Sequence, residues 1–332
     1  LNKYGFNWGY SAKEVLERFF GEGMSTLKKD TTRISIDNLL TNLGSLVPGK
    51  NEPLDPITKE TIFYIPAHRV LCVHKGWPNY FSEFESSDPY VLRNFSETLR
   101  LSINTDLQEG LYFPQQNRLS KILQDSIDTE VYHGNKIEIE KSDRLKFVLD
   151  VNKKSLSFGQ WSTGQKEFFP LLMSLYWLIP PDKDGKKNDI ETVIIEEPEM
   201  GLHPRAIKTV ILQVMELLSR GYKVVISTHS NVIPEFVWAL NLIKQNNGSI
   251  DDILSLFGIE DPAYGESLAD IMSKKINTYY FKHSVDGVIA KDISSLDAFS
   301  DDKDIAEWGG ISSFSSTASE IVARLVSMNG KN

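Results

Sequence analysis

Two adjacent carboxylates, Glu196 and Glu197, follow the apolar run Thr192-Val193-Ile194-Ile195 and are halted by Pro198. Such a run reads as a buried strand, and in open α/β sheets ligands gather at the carboxyl ends of strands. Successive strand side chains point opposite ways, so the two carboxylates can take different tasks: one to help hold a magnesium shell, the other to face a water. A solvated acidic loop after a strand would look the same, and the pair alone does not separate the two readings. A second apolar run, Lys223-Val224-Val225-Ile226, ends in Ser227-Thr228-His229-Ser230. A lone histidine at a strand end is usually a surface or capping residue. Here a single helix joins this strand to the acidic one, which predicts neighbouring strands with His229 and Glu197 at the same sheet edge. A third segment, Trp161-Ser162-Thr163-Gly164-Gln165-Lys166-Glu167, opens an apolar helix. Ser162 and Gln165 stand at capping-box spacing, which by itself explains them. The same helix start, with a glycine that allows close backbone approach and a serine as an added donor, would also receive an anion.

The elements that must position these residues follow in outline from hydrophobic spacing. Residues 1–75 combine a helical pattern, Ala12-Lys13-Glu14-Val15-Leu16-Glu17-Arg18-Phe19-Phe20, with the run Thr61-Ile62-Phe63-Tyr64-Ile65, which reads as a buried strand. The stretch to about residue 133 reads as mostly helical. Val91, Leu92, Phe95, Leu99 and Leu101 recur near helical spacing, as do Leu119, Ile122, Leu123 and Ile127. Neither set sustains heptads, which excludes a long coiled-coil arm there. Residues 137–140 and 145–149 alternate as two strands about a Ser142-Asp143 turn. Beyond residue 152 helix and strand alternate. Residues 192–195 and 224–226 read as fully buried parallel strands, with an amphipathic helix over residues 204–219 between them and Gly221 as its stop. Residues 180–188 read as a lysine-rich surface loop, 278–293 as a hairpin about 284–287, and 316–327 as a closing helix. There is no internal repeat or low-complexity tract.

With 36 Lys plus Arg against 45 Asp plus Glu, the 332-residue chain has a net charge of −9. That balance argues against a protein that coats DNA over its whole surface, while leaving room for a local basic groove. The length suits about two domains of roughly 150 residues, or one large α/β domain with an insertion. A hydrophobic content of 41% excludes wholesale disorder. The single cysteine, Cys72, excludes a disulfide framework and Cys-rich zinc sites, fits a reducing compartment and reads as a small core residue. No apolar run approaches the roughly 18 residues of a membrane span. The longest, residues 168–179, contains Pro170 and is followed by Pro180-Pro181. With no signal peptide either, the expectation is a cytoplasmic protein with no membrane partner. Trp238, Trp308 and Phe168-Phe169 read as core; Trp161 reads either as a helix staple or as part of a subunit face.

In this order, the three segments resemble the motifs of ABC-type ATPases, in the branch that includes SMC-like heads, RecF and the OLD-type ATPases. Residues 161–167 resemble the signature motif. Residues 193–197 resemble Walker B, with Glu196 where most relatives carry Asp. Glu199-Met200-Gly201-Leu202-His203-Pro204 resembles the D-loop, and Ser227-Thr228-His229-Ser230 the switch-histidine loop. Tyr64-Ile65-Pro66-Ala67-His68-Arg69 resembles a segment common upstream in the OLD-like group. The resemblance covers about residues 60–245 and implies an α/β fold: an ABC-ATPase-like head with a mostly parallel sheet, an antiparallel β portion and a helical insertion subdomain. Residues 1–75 would be the N-terminal part of the head, 76–135 the helical subdomain, 136–245 the ATPase core and 246–332 a C-terminal α/β extension. The resemblance also implies ATP and Mg²⁺ as cofactors and two heads closing face to face on two ATP molecules. Ser162, Thr163, Gly164 and Gln165 would meet the ATP of the opposing subunit. Glu196 would support Mg²⁺, Glu197 would polarise the attacking water, and His229 would touch the γ-phosphate. Such chemistry needs positioning and charge neutralisation more than covalent catalysis.

One expected motif, the P-loop G-x-x-x-x-G-K-[ST], has no good match. Gly44-Ser45-Leu46-Val47-Pro48-Gly49-Lys50-Asn51 lacks the final hydroxyl and runs into Pro53 and Pro56, so it reads as a decoy. Gly5-Phe6-Asn7-Trp8-Gly9-Tyr10-Ser11 lacks the lysine and is one residue short. The expectation is a P-loop upstream of Leu1. The OLD-like branch implies a sensor or regulator in phage defence or DNA repair, assembled as an ATP-sandwiched homodimer or higher oligomer beside a separate effector such as a nuclease. Asp302-Lys303-Asp304 is the tail's only hint of a fused nuclease, and it reads as a solvated acidic turn. Two alternatives stay open. A RecF- or SMC-like repair ATPase would bind nucleic acid, and its only short basic clusters are Lys28-Lys29, Lys153-Lys154, Lys186-Lys187 and Lys274-Lys275. A scaffold that has lost nucleotide binding is opposed by the joint presence of Glu197 and His229. A transporter subunit is less favoured still.

Overall fold

The computed structural model describes residues 61–104, 110–115, 118–180, 185–187, 189–285 and 287–329. Both glycine-rich strings weighed as P-loops, and the helical pattern at 12–20, lie outside these residues. The described chain opens with β1 (Ile62–Ile65), a 3-10 turn (Arg69–Cys72) and the small pair β2 (Val73–His74) and β3 (Trp77–Pro78). Helix α1 (Tyr90–Asn104) and β4 (Gly110–Phe113) lead to α2 (Lys121–Ser126), which runs into a π-helical turn (Ile127–Tyr132). Strands β5 (Lys136–Lys141), β6 (Leu145–Val151) and β7 (Lys154–Ser157) precede α3 (Thr163–Leu178). Then come β8 (Thr192–Glu196), α4 (Pro204–Ser219), β9 (Lys223–Ser227), α5 (Val232–Gln245), α6 (Ile250–Leu256) and a 3-10 stretch (Pro262–Ser273). Hairpin β10 (Tyr279–Ser284) and β11 (Gly287–Asp292), a short α7 (Lys303–Ala306) and α8 (Ser313–Asn329) complete the described chain.

The fold is mixed α/β. A parallel sheet has the order β1-β8-β9, with Ile195 beside Ile65 on one side and Ile226 on the other. An antiparallel sheet has the order β4-β5-β6-β7. Helix α3 joins the two. Its sequence is apolar almost all round, the pattern of a helix buried on several faces. On one face Trp177 packs against Phe63 of β1, with ring centroids 4.5 Å apart. On another Phe169 packs against Phe147 of β6 at 4.8 Å and Tyr112 of β4 at 6.0 Å. The helix runs through Pro170, which is buried. The Ser174 hydroxyl donates to the Pro170 carbonyl at 2.7 Å within that stretch. Phe168 and Phe169 are fully buried, as read from the sequence.

Several expectations are refined. Strands β8 and β9 are neighbours, joined by a helix whose bounds match the prediction, and Gly221 takes φ +81° just beyond it. Neither strand is fully buried. In β8 Val193 and Ile195 are buried but Ile194 only partly so, and in β9 Val225 is 53% exposed; β1 likewise buries Phe63 and Ile65 while Ile62 is 46% exposed. Strand side chains alternate between faces, and among the described residues one face of this sheet carries the packing and β9 stands at its edge. An all-apolar run cannot report which case applies. In α1 the buried line is Leu92, Phe95, Leu99 and Ile103, while Val91 and Leu101 lie outward. The stretch read as mostly helical also contains β4, a short strand made by pairing with distant β5. The β5–β6 hairpin is as expected, and β7 extends it through a two-residue turn in which Asn152 and Lys153 both have positive φ. Trp161 belongs to the core, its Nε1–H donating to the Leu156 carbonyl at 3.1 Å. Trp238 does not: it is 37% exposed, beside Trp308. Asp302 caps α7, and both Asp302 and Asp304 hold Lys291 at 2.7 Å, which accounts for the acidic turn structurally. Among the described residues no helix is long and apolar enough to cross a membrane.

Cys72 is fully buried beneath α1, and burial pushes its thiol up to about 12, with the Ser96 hydroxyl opposing in part. Thiolate is the reactive form, so native protein at about pH 8 should resist maleimide by orders of magnitude relative to a free thiol. Denaturant should release one reactive thiol per chain. Rapid labelling of native protein would contradict the packing of the 3-10 turn against α1.

Candidate functional site

The parallel sheet brings the acidic and histidine segments to one edge. Glu196 pairs in register with Ser227, and the Glu197 N–H donates to the Ser227 carbonyl at 2.9 Å, extending the ladder by one bond. At Glu197 the chain leaves the strand with φ +40°, an unusual conformation for a residue with a Cβ. The two carboxylates separate as strand geometry requires. Glu196 turns toward the end of β1, where its Oε2 accepts from the Ala67 N–H at 3.2 Å. The Tyr64 hydroxyl there is pushed up to about 12 by burial and by its hydrogen bond to Glu196. Glu197 turns to the open edge, its Oε1 lying 3.5 Å from Nε2 of His229. His229 is 84% exposed, so the pair faces solvent and has room to receive a ligand.

The loop after Pro198 ties these groups to the start of α3. Glu199 Oε1 accepts from the Thr228 hydroxyl and the His229 N–H, each at 2.7 Å, and from the Ser230 N–H at 3.1 Å. One carboxylate oxygen thus shapes the histidine loop. Gly201 takes φ +70° and lies so close to α3 that a Cβ there would meet Glu167 Cγ at 2.8 Å and Thr163 Cγ2 at 3.3 Å. A Cβ on Gly164 would lie 3.2 Å from the Gly201 carbonyl oxygen. Two glycines therefore let helix start and loop touch. The capping box forms: Ser162 Oγ accepts from the Gln165 N–H at 3.3 Å, and Gln165 Oε1 accepts from the Ser162 N–H at 3.0 Å. Ser162 and Thr163 are exposed, as an anion site needs. The Gln165 side chain is buried, and its Nε2 donates to the Val131 carbonyl at 3.4 Å, so its contact with a ligand is through its backbone or after a rotation.

Sequence reasoning gave no role to Arg69. It is fully buried, its Nε–H donating to the Glu167 carbonyl at 3.1 Å and its Nη groups to the carbonyls of Glu196 (3.1 Å), Glu197 (3.2 Å) and Pro198 (3.1 Å). The roles of Glu199 and Gly201 were also unassigned. The available signals were weak: a charged residue closing an apolar strand, and a glycine within an otherwise ordinary loop.

Glu167 is 8% exposed and its Oε2 has no hydrogen-bond partner. Burial raises its carboxyl above the usual range, with Arg69 and His68 acting in the opposite direction. A raised folded value disfavours the charged form, so this carboxyl lowers stability increasingly as pH rises through its titration and is harmless below it. Glu167→Gln is therefore expected to be about 1 kcal/mol more stable than wild type near pH 8 and equal to it near pH 4. Urea midpoints at the two pH values check this; a variant less stable at the higher pH would show that the charge is compensated.

Residues 75–233 match a family model described as "AAA domain, putative AbiEii toxin, Type IV TA system". Over these residues, less than half of the chain, it is similar to AAA-type ATPases, and the relatives it matches are consistent with an OLD-like ATPase. It is 25% identical over 119 residues to the Retron Vc95 probable ATPase of Vibrio cholerae serotype O1 biovar El Tor, covering 35% of this chain and 23% of that protein. It is 37% identical over 75 residues to the Old nuclease of Escherichia phage P2, covering 22% of this chain and 13% of that protein. The chain therefore spans less than a quarter of the length of either relative. No solved structure gives a significant match.

An ATPase domain of this family implies nucleotide binding, usually with Mg²⁺. Among the described residues no group of three or more His, Cys, Asp or Glu side chains could hold a metal by itself. Magnesium is commonly bound by one or two carboxylates together with phosphate oxygens and water. Glu196 is suited to be that carboxylate, since Ala67 and Tyr64 fix its direction at the end of β8.

Proposed function

We propose that the ATPase domain hydrolyses ATP across a pair of copies and so controls a separate effector. The observation that carries this reading is the placement of Glu197 and His229 3.5 Å apart at the carboxyl edge of the parallel sheet. Glu197 would orient the attacking water and take its proton, while the γ-phosphorus gains the water oxygen and loses its bond to ADP. His229 would steady the γ-phosphate from the same side. Glu196 would hold Mg²⁺, which when bound neutralises phosphate charge. The exposed N-terminus of α3, with Ser162, Thr163, Gly164 and Gln165, offers donors and a positive helix end to the ATP of the opposing copy. That division of labour leaves each copy half a site and requires a homodimer or higher oligomer. The similarity to a retron probable ATPase and to the Old nuclease supports a regulatory role in phage defence, with a nuclease as one kind of effector; the location proposed for that role is the cytoplasm. No membrane partner is needed.

The test is phosphate release by the purified chain with ATP and Mg²⁺, read beside its mass in solution with and without ATP. Turnover together with ATP-dependent doubling of mass is expected. A monomer that neither binds nor hydrolyses ATP would sink the reading and promote that of a scaffold.

A further inference from the structure

Arg69 joins two elements through their backbones. Its Nε–H reaches the Glu167 carbonyl on α3, and its Nη groups reach three successive carbonyls, Glu196, Glu197 and Pro198, where β8 ends. A buried cation usually pairs with a carboxylate; here Glu167, Glu199 and Glu197 lie near enough to act on its charge, but its hydrogen bonds go to carbonyl oxygens, which report main-chain position rather than a rotamer. The guanidinium is planar and rigid, so it holds the two backbones at a set separation. One of the carbonyls it holds belongs to Glu197, whose φ of +40° needs surrounding structure to maintain it. The approach of α3 to this loop at Gly201 is van der Waals contact, without the directionality of these hydrogen bonds.

We propose that Arg69 is a positioning residue that couples the start of α3 to Glu197, so that engagement of residues 162–165 by a second copy's nucleotide sets the hydrolytic carboxylate of the same chain. The inference rests on the paired-site reading above and adds regulation to it. In that arrangement α3 serves the opposing copy's ATP while Glu197 serves its own, and Arg69 links the two sites. A displacement of α3 moves the Glu167 carbonyl, and the guanidinium carries that movement to the β8 turn.

Arg69→Lys tests this in the full chain. Lysine keeps the charge, but one ammonium cannot span carbonyls on both elements. Amide hydrogen exchange is followed with and without ATP and Mg²⁺. In the wild type, ATP should slow exchange about tenfold both at residues 162–167 and at 196–200; in the variant the first response should persist and the second fall below about twofold. The kcat should drop about tenfold with KM for ATP within about twofold, the mark of a lost transition-state contact rather than lost binding. A variant in which the ATP response still reaches 196–200 overturns the coupling and leaves the ATPase reading standing. Absence of any ATP response in the wild type sinks the ATPase reading and the coupling with it. Should Arg69→Lys fail to fold, hydrogen exchange of the wild-type Arg69 Nε–H, followed by NMR on nitrogen-15-labelled protein, decides. Exchange slowed at least about 100-fold from free arginine is expected of the buried clamp, and exchange near the free rate overturns it.

Discussion

Glu197→Gln is expected to stop ATP turnover and to leave ATP binding in place. Glutamine matches the carboxylate in size and keeps the backbone bond from the Glu197 N–H to the Ser227 carbonyl, so the turn should persist. What is lost is the charge that would orient the water and accept its proton. Loss of one positioned electrostatic group typically costs about 10²–10³ in rate, or roughly 3–4 kcal/mol of barrier. Because binding is retained and hydrolysis is not, the variant should accumulate as an ATP-held pair where the wild type cycles. Steady-state phosphate release and mass measurement in solution check the two halves separately. A glutamine variant that turns over within a few-fold of wild type would show that the edge formed by Glu197 and His229 is not the hydrolytic site.

The second large effect is on folding. Gly201→Ala is expected to destabilise the protein by about 2–4 kcal/mol, from roughly 1 kcal/mol for forcing a Cβ into positive φ and about 1–3 kcal/mol for overpacking. The clash is specific: the new methyl would meet Glu167 Cγ at 2.8 Å, and neither the loop nor α3 can withdraw without losing the contact at Gly164. Gly134→Ala is the control. It has a similar φ of +78°, and a Cβ there would meet nothing within 4 Å, so only the backbone part, about 1 kcal/mol, should appear. The difference between their urea midpoints isolates the packing of loop against helix. Equal losses would mean that the two elements do not press together. Any Gly201→Ala protein that folds should also lose turnover, because the loop that carries Glu199 also shapes the His229 loop.

Of the four basic clusters named for a nucleic-acid-binding repair ATPase, Lys28-Lys29 lies outside the described residues. Lys187 lies over the Trp177 ring and Lys186 over Tyr222, so one candidate basic cluster is accounted for by local packing. Lys153 and Lys154 mark the turn between β6 and β7. The capping box at Ser162 and the exposed Ser162 and Thr163 show that the structural and the ligand-binding readings of that segment are compatible: the cap uses one hydroxyl lone pair and leaves the helix end open.

Local chemistry determined much of this protein. Apolar runs ending in carboxylates and in a histidine marked two strands, a single amphipathic helix between them required that they be parallel, and serine and glutamine three residues apart marked where α3 begins. Each of these signals lies within one element or one connection, where spacing alone carries the information. The tertiary structure decided the rest. Whether an apolar strand is covered on one face or two depends on what packs there, so Val225 could not be known to be exposed. β4 exists because of a pairing partner more than twenty residues away. Arg69, Glu199 and Gly201 acquire their places through contacts that cross 98 residues of chain for Arg69 and Glu167, 30 for Glu199 and His229, and the close approach of Gly201 to Glu167. Hydrogen bonds to backbone carbonyls leave no trace in residue type, because every residue offers the same acceptor, and only folding selects which ones meet.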